Sequence, residues 1–372
     1  IESLSQELRL SSNESWDGVK WVLGAYYSKD DNFDFVDFDF RDHTAFSALL
    51  NSSYTQTTES TSFFGQAEWD INEELRLITG LRYTDEDREL NYGGTLVGAG
   101  PTPVPSYGEK INTSEFSGKL GLDYTPNDDV LIYASVSRGF KGGGFPAAIS
   151  FSEEELHPYE AEILIAYEAG FKATLADGRM RLNSALYYYD WMDFQASAAA
   201  DRENGIRVIT VTNAGDAEVF GLEMDFTWQP VDEFTFQLGF NWMDAEIVSG
   251  EYEGQTPSHT PEISYNGLIR YDSNLLNIGG FIPFAQVDFS YTDDVQFILP
   301  NHPGATEDAY TLANLRFGAK SEDGHWEIAA WVKNVGDKLY RSEVFGPGSG
   351  FLPGRIHYGA PRLTGVSVSY QY

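Results

Sequence analysis

The stretch ILIAYEAGFKATL (163–175), followed by ADGR (176–179), contains the pattern that decides the fold. Every second residue from Ile163 to Leu175 is apolar, while Glu168 and Lys172 lie at intervening positions. Successive side chains of a strand point to opposite faces, so this alternation predicts a strand with one apolar face. Asp-Gly within ADGR is a strong hairpin signal, and the alternation resumes after it. The segment therefore predicts an antiparallel β-hairpin.

About fifteen such strands can be counted along the chain, many of ten residues or more. The connections between them alternate in length. The short ones are 125–129, 176–179, 229–233 and 322–325, with 11–18 as a further turn at the same end. The long, polar ones include 88–112, 141–158, 297–309 and 345–360. Short turns at one end and long loops at the other are typical of an outer-membrane barrel. A soluble β-sandwich is the alternative, since its strands alternate too.

A barrel explains what the apolar faces contact. Only helices and closed barrels satisfy every backbone group in a bilayer, and no run of 18 apolar residues is present in the chain to form a spanning helix. The face with Ile163, Ile165, Tyr167 and Phe171 is therefore predicted to contact lipid, with the opposite face lining a wet lumen. The terminal stretch VSVSYQY (366–372) has the same alternation. Its aromatic end suits the interfacial girdle of a barrel.

Composition excludes several function classes. The 372 residues contain 57 acidic and 24 basic side chains, a net charge of -33, which argues against binding nucleic acid. Cysteine is absent, which excludes disulfides and thiol chemistry. The six histidines show no metal-site spacing, and no nucleophile–base–acid set can be assembled from linear spacing. We therefore expect no enzyme activity and no cofactor.

Five segments, in order along the chain, resemble the barrel of TonB-dependent outer-membrane receptors. They are LIYASVSRGFKGGGF (131–145), YEAGFKATL (167–175), VTNAGDAEVFGLEMDFTWQP (211–230), WVKNVGDKLYRSE (331–343) and APRLTGVSVSYQY (360–372). The resemblance implies localisation in the outer membrane of a Gram-negative bacterium. It also implies an aromatic terminal residue, Tyr372, that the barrel-assembly machinery reads.

The family's amino-terminal plug and TonB box find no match in residues 1–372. Family barrels have about 22 strands. The resemblance therefore implies that this all-β chain is one carboxy-terminal portion of a transmembrane antiparallel barrel, about 15 of 22 strands. We expect an open, curved sheet whose edge strands, near 3–10 and 363–372, are unpaired. Such a chain alone is expected not to transport and to aggregate.

The function implied by the resemblance is active import of a scarce nutrient, with a ferric-siderophore complex as the leading substrate. Its partners would be the inner-membrane TonB complex, outer-membrane lipid and lipopolysaccharide, and a small-molecule substrate. The alternatives are an oligosaccharide or cobalamin importer of the same family, or a passive porin. An outer-membrane enzyme is a third class, and no constellation in the sequence supports it.

Substrate contacts are expected in the long loops, including 147–155. The basic candidates for an anionic chelate are Lys141, Arg202, Arg207, Arg341 and Arg355. The aromatic candidates for stacking on sugars are Tyr107, Phe145, Tyr252 and Phe351. Ordinary anchoring of the rim and loops is the alternative role for all nine.

Three further features have competing interpretations. The glycine-rich RGFKGGGF (138–145) lacks the GK[ST] of a phosphate loop and is interpreted as a flexible loop base. The acidic DFVDFDFRD (34–42) lacks the glycine and glutamate of an EF-hand and is interpreted as a strand extension. Arg138 has the parity of a lipid-facing residue, so it either reaches lipopolysaccharide phosphates from the outer rim or is turned into the lumen by a bulge at Gly139.

Overall fold

The computed structural model describes residues 1–13, 18–39, 41, 49–97, 101–146, 156–201, 207–273, 275–345 and 354–371. For 38, 96, 101–105, 199–201, 207–209 and 345 only the backbone is described. No α-helix occurs in these ranges; Pro303–Ala305 form a 3₁₀ turn. None of the described helices is long and apolar enough to cross a membrane.

Fifteen strands form one antiparallel sheet in which each strand pairs with the next along the sheet. They are β1 (Glu2–Ser11), β2 (Val19–Asp39), β3 (Leu49–Asp70), β4 (Leu75–Val97), β5 (Pro101–Asn127), β6 (Val130–Lys141), β7 (Glu162–Leu175), β8 (Met180–Met192), β11 (Ala217–Trp228), β12 (Phe234–Ile247), β13 (Ile263–Asp272), β14 (Phe281–Thr292), β17 (Tyr310–Ser321), β18 (Trp326–Lys333) and β21 (Leu363–Tyr370). This number of strands confirms the count made from the alternating pattern.

In the described parts of the connections at one end of this sheet lie three two-stranded sheets. They pair β9 (Gln195–Asp201) with β10 (Arg207–Asn213), β15 (Val295–Gln296) with β16 (Thr306–Glu307), and β19 (Arg341–Phe345) with β20 (Arg355–Tyr358). The connections at the opposite end are short, as at 71–74 and 176–179. The difference in length between the two ends matches the barrel pattern predicted from the sequence.

The main sheet is open. Within the described residues, β1 pairs only with β2, and β21 pairs only with β18. Both edges therefore present unpaired backbone donors and acceptors along one side, as expected from the sequence.

The two faces of the sheet differ as the alternation predicts. Tyr167 and Phe171 are 48% and 38% exposed on the outward face, and the terminal strand exposes Val366 and Val368 on the same face. The inward face carries polar contacts, such as Arg316 Nη2 to Glu327 Oε1 at 2.6 Å. A band of exposed apolar side chains thus surrounds a polar interior surface, which is the arrangement of a membrane barrel.

The region 88–112 is a strand pair rather than the loop predicted from its glycines and prolines. β4 continues to Val97 and pairs with β5 from Pro101 onward, with one irregularity between Tyr92 and Gly94. Proline lacks the N–H that a central strand requires. β5 pairs with β6 only as far as Gly118, so its upper part has a partner on one side only. Alternate residues of a strand direct their N–H groups to the same side. Prolines at alternate positions therefore remove donors from one side of β5 only, and β5 can still pair with β4.

β2 is a strand through Asp39, which confirms the strand extension predicted for the acidic segment 34–42 as far as that residue. Arg41 lies outside the strand, and 40 and 42 lie outside the described residues. β2 to β5 have 21, 22, 23 and 27 residues, whereas a tilted strand needs only about 9–11 to cross a bilayer. About half or more of each of these strands therefore extends beyond the membrane, and we call this part the β2–β5 extension.

Candidate functional site

The connections 142–161, 193–216, 248–262, 293–309 and 334–362 meet at the long-loop end of the sheet, and we call them the loop assembly. Their described residues contact one another and the sheet through apolar packing, hydrogen bonds and ion pairs. Because long loops carry the ligand contacts of many proteins, this assembly is the candidate functional site.

The three consecutive glycines of RGFKGGGF, at 142–144, lie where the first loop runs along the inner wall. An added Cβ at Gly142 would lie 2.7 Å from Glu86 Oε1, and one at Gly144 would lie 2.4 Å from the Tyr159 hydroxyl oxygen. Arg88 Nη2 donates to Glu86 Oε1 at 2.9 Å beside them. Burial raises the pKa of Tyr159, although the nearby Arg88 acts in the opposite direction. At Gly143 an added Cβ would lie 2.6 Å from the Tyr159 backbone carbonyl oxygen, so close approach of the two backbones explains a glycine there, in place of the flexibility inferred from the sequence.

Glu162 and Gln195 join two loops at the top of β7. The Gln195 backbone N–H donates to Glu162 Oε2 at 2.7 Å, and both side chains are buried. Gln195 Nε2 donates to the carbonyl oxygens of Gly142 and Glu160, at 3.1 and 2.9 Å. Neither residue stands out in the sequence, because their pairing depends on a contact between residues 33 positions apart.

The Asn-Ala-Gly motif at 213–215 anchors the β9–β10 hairpin. Asn213 Nδ2 donates to the Glu160 and Asp193 carbonyl oxygens at 3.1 and 2.8 Å. Gly215 has φ 113°, and an added Cβ would lie 1.9 Å from the Ser249 carbonyl oxygen. Only glycine adopts this conformation and leaves room for the neighbouring loop.

An apolar cluster connects the hairpin to two further loops. Ala198 on β9 forms a parallel bridge with Leu299, which is fully buried. Tyr252, from the 248–262 loop, belongs to the same cluster and is 4% exposed. Trp191 and Phe194 are partly buried and pack against this cluster. Burial of these apolar side chains from three connections stabilises the loops as one unit.

Arg341 fixes the 293–309 loop to β19. Its Nε donates to Glu307 Oε2 at 2.6 Å, and its two Nη atoms donate to the carbonyl oxygens of Gly304 and Thr306. The Glu307 side chain is only 9% exposed, so this ion pair is partly removed from water. A guanidinium engaged by three acceptors in this way acts as a structural clamp.

Asn334 and Asp337 stabilise the last loop where it leaves the sheet. Asn334 is buried, has φ 48°, and donates from Nδ2 to the carbonyl oxygens of Lys338 and Ala360 at 2.9 and 3.1 Å. Asp337 Oδ1 accepts the backbone N–H of Arg362 at 2.9 Å. The Asn-x-x-Asp-Lys segment found in the sequence is thus a buried turn that sets the path of the chain into β21.

The structure distributes the candidate contact residues over different environments. Lys141, at the end of β6, and Arg355, on β20, are exposed, and neither forms an ion pair with another described residue. Phe145 is 6% exposed, Tyr252 is buried in the apolar cluster, and Arg341 is paired with Glu307. Tyr107 lies edge-on to His157, with ring centroids 6.4 Å apart.

The remaining candidates are placed only in part. Arg202 and Phe351 lie outside the described residues, as do 147–155 and Tyr372, and only the backbone of Arg207 is described. Contact between any of the candidates and a substrate stays a prediction.

Arg138 is not turned inward by a bulge. The pairing of β6 with β7 continues without a register shift from Arg138 through Gly139 to Lys141, so the bulge considered in the sequence analysis is wrong. Arg138 Nη2 instead donates to Glu115 Oε2 at 2.8 Å, and Nη1 donates to the Phe116 carbonyl oxygen. The side chain therefore links β6 to β5 just beyond the last residue pair that the two strands share.

Comparison with known proteins identifies the family. A family model described as "TonB dependent receptor-like, beta-barrel" matches residues 2–335. The chain belongs to this family. The pesticin receptor of Yersinia pestis is 24% identical over 312 residues, covering 81% of this chain and 42% of the receptor. The ferric-pyoverdine 358 receptor of Pseudomonas putida is 21% identical over 322 residues, covering 86% and 36%.

Solved structures show the same fold. The ferric yersiniabactin uptake receptor FyuA from Yersinia pestis superimposes with a TM-score of 0.81 and 19% identity, covering 99% of this chain and 54% of that one. The siderophore receptor PiuA from Acinetobacter baumannii gives a TM-score of 0.74 and 16% identity, covering 100% and 56%. The chain thus spans about half the length of the relatives it matches.

These matches establish the class of the protein. It is part of the β-barrel of a TonB-dependent receptor, located in the outer membrane of a Gram-negative bacterium. The relatives and structural neighbours are transport receptors rather than enzymes, in agreement with the expectation from the sequence. The soluble-sandwich alternative is wrong.

Proposed function

We propose that the protein imports a ferric-siderophore complex, or a closely related metal–organic chelate, with energy supplied through TonB. The fold match to the ferric yersiniabactin uptake receptor over 99% of the chain carries this proposal. A siderophore receptor and a ferric-pyoverdine receptor are among the other similar proteins. The residues of this chain supply the barrel wall and the loop assembly around the substrate path.

The charge of the loop assembly favours a neutral or weakly charged chelate. Arg341 of the loop assembly is neutralised by Glu307 at 2.6 Å, and Arg88 of β4, beside the first loop, is neutralised by Glu86 at 2.9 Å. In a chain with net charge -33, a strongly anionic chelate would be repelled unless free cations gathered at the mouth. Among the five basic candidates, Lys141 and Arg355 are the two that the described residues show as exposed. We propose these two as substrate contacts.

The alternatives receive less support. Import of an oligosaccharide would use exposed aromatic rings in the loops, but Phe145 and Tyr252 are 6% and 4% exposed. A passive porin is disfavoured, because the matched family consists of TonB-dependent receptors. Cobalamin import stays open among the family's substrates. A copper transporter, OprC, matches with a TM-score of 0.66, which supports including other metal complexes in the test.

Uptake of radiolabelled iron tests the proposal. The complete gene would be expressed in a host that lacks its own ferric-siderophore receptors, with and without an intact tonB gene. We expect uptake of at least one ferric siderophore that depends on both the gene and TonB. Absence of uptake across neutral and anionic siderophores, with the protein correctly assembled, would reject the substrate class. Uptake that persists without TonB would favour the porin.

Replacing Lys141 and Arg355 together tests the proposed contact residues. The Lys141→Gln/Arg355→Gln double variant should raise the half-saturating substrate concentration and leave assembly unchanged. Lys29→Gln on the outward face of β2 is the matched control for loss of a cation. An equal effect of the control would show that net charge, rather than contact, is responsible.

A further inference from the structure

The outward face of the β2–β5 extension has a shallow depression of about 430 Å³. The register aligns Phe33 with Thr55, Thr55 with Asn91, and Asn91 with Gly108 across the four strands. Phe33 has the same parity on β2 as Leu23, which is exposed in the lipid-facing band. The depression therefore lies on the outer surface of the barrel, away from the loop assembly and the substrate path.

Its height places it above the hydrocarbon layer. On β5 the apolar outward residues run from Tyr124 up to Phe116, and Gly108 is eight residues further along the strand. At about 3.4 Å per residue and a tilt of about 40°, Gly108 lies about 20 Å above Phe116 along the membrane normal. At that distance from the acyl chains, the neighbouring component of the outer leaflet is glycolipid saccharide.

The chemistry of the depression suits sugar rings. Phe33 and Phe35 are 64% and 57% exposed, although nothing in a purely aqueous setting favours two exposed phenylalanines on one strand. Around Phe33 the outward side chains are hydroxyls and an amide, which both donate and accept hydrogen bonds. These residues are Ser53, Thr55, Asn91 and Ser106. An apolar platform can pack against the C–H face of a pyranose ring, and neutral hydrogen-bonding groups around it can bind the hydroxyls of the sugar.

The charges on and below the depression favour an uncharged sugar over a phosphate group as the ligand. None of the described residues that line the depression is ionisable as an acid or a base at neutral pH. Immediately below it, towards the membrane, the outward face is acidic. The acidic residues there are Asp31, Glu59, Asp85, Asp87 and Glu89, against the two lysines Lys29 and Lys110. A net negative belt repels phosphate groups, so the favoured ligand is an uncharged part of the saccharide.

We propose that this depression binds the core oligosaccharide of the outer-leaflet glycolipid. Phe33 in the depression and Phe35 beside it on the same face would stack on sugar rings, and the hydroxyl and amide side chains would hydrogen-bond to them. The site is continuous with the lipid-facing band below it. Binding would hold the tall β2–β5 extension against the saccharide layer. It is independent of the substrate that the receptor imports.

The test compares oligosaccharide binding by the protein expressed from its complete gene and purified in detergent. The probes are core oligosaccharide released from rough lipopolysaccharide, and deep-rough lipopolysaccharide, which lacks most core sugars. Calorimetry should show that Phe33→Ser/Phe35→Ser weakens binding of the released core at least about tenfold, equivalent to about 1.4 kcal/mol. Asp37→Ser changes an exposed residue of the same face outside the depression and should bind as the wild type does.

Retention of the heat-modifiable band by both variants would show that the fold is intact. Equal core affinity in the wild type and the double variant would overturn the proposal. Tight binding of deep-rough lipopolysaccharide without binding of released core would overturn it too, because the contact would then be with lipid A. A change in oligomeric state with no change in sugar binding would instead identify the surface as a contact between two copies of the chain.

Discussion

Leu120 is the most direct test of which face contacts lipid. It lies midway between Phe116 and Tyr124 in the outward apolar band of β5, opposite Val136 on β6, and is 53% exposed. Replacing Leu120 by Arg places a cation near the bilayer midplane, at a cost of about 2–4 kcal/mol. That cost corresponds to a decrease of about 30- to 700-fold in the folding equilibrium constant, since each 1.4 kcal/mol is about tenfold.

The neighbouring position supplies the control. Lys119 precedes Leu120 and points to the polar interior, so Lys119→Arg places the same guanidinium one residue away and should be nearly neutral. Both variants would be expressed from the complete gene, and their folded fractions measured by heat-modifiable mobility during urea titration in lipid vesicles. Similar midpoints for the two variants would refute the assignment of faces, and with it the lipid-facing band.

Three further predictions concern the loops and the sheet edges. Gly215→Ala should destabilise the loop assembly by about 1–3 kcal/mol, seen as faster proteolysis of the loops with the barrel intact, whereas Gly336→Ala, with open space around it, should have little effect. Arg341→Gln should leave the buried Glu307 without its charged partner and cost about 1–3 kcal/mol, while Arg355→Gln should not alter loop protection in hydrogen exchange. The isolated 372-residue chain should aggregate through the unpaired edges of β1 and β21, and a stable heat-modifiable monomer of that chain would contradict this expectation.

The alternating pattern alone determined the fold class and strand number. A strand with lipid on one side and a polar interior on the other must alternate with period two, so the pattern is local and can be read residue by residue. The same reasoning correctly assigned the faces of β7 and β21 and the short turns. The loop predicted at 88–112 is wrong, because the prolines of β5 fall where that strand pairs with β4 alone and needs no donor towards a second neighbour.

Tertiary structure decided the roles of individual loop residues. Arg341 and Tyr252 are residue types expected in ligand contacts. In the structure, however, Arg341 holds a loop through its ion pair with Glu307, and Tyr252 is buried in an apolar cluster. The pairing of Glu162 with Gln195, and the clash that makes Gly215 obligatory, depend on residues more than 30 positions away in the sequence. Contacts of that range are created only when strands bring distant loops together, and linear spacing carries no signal for them.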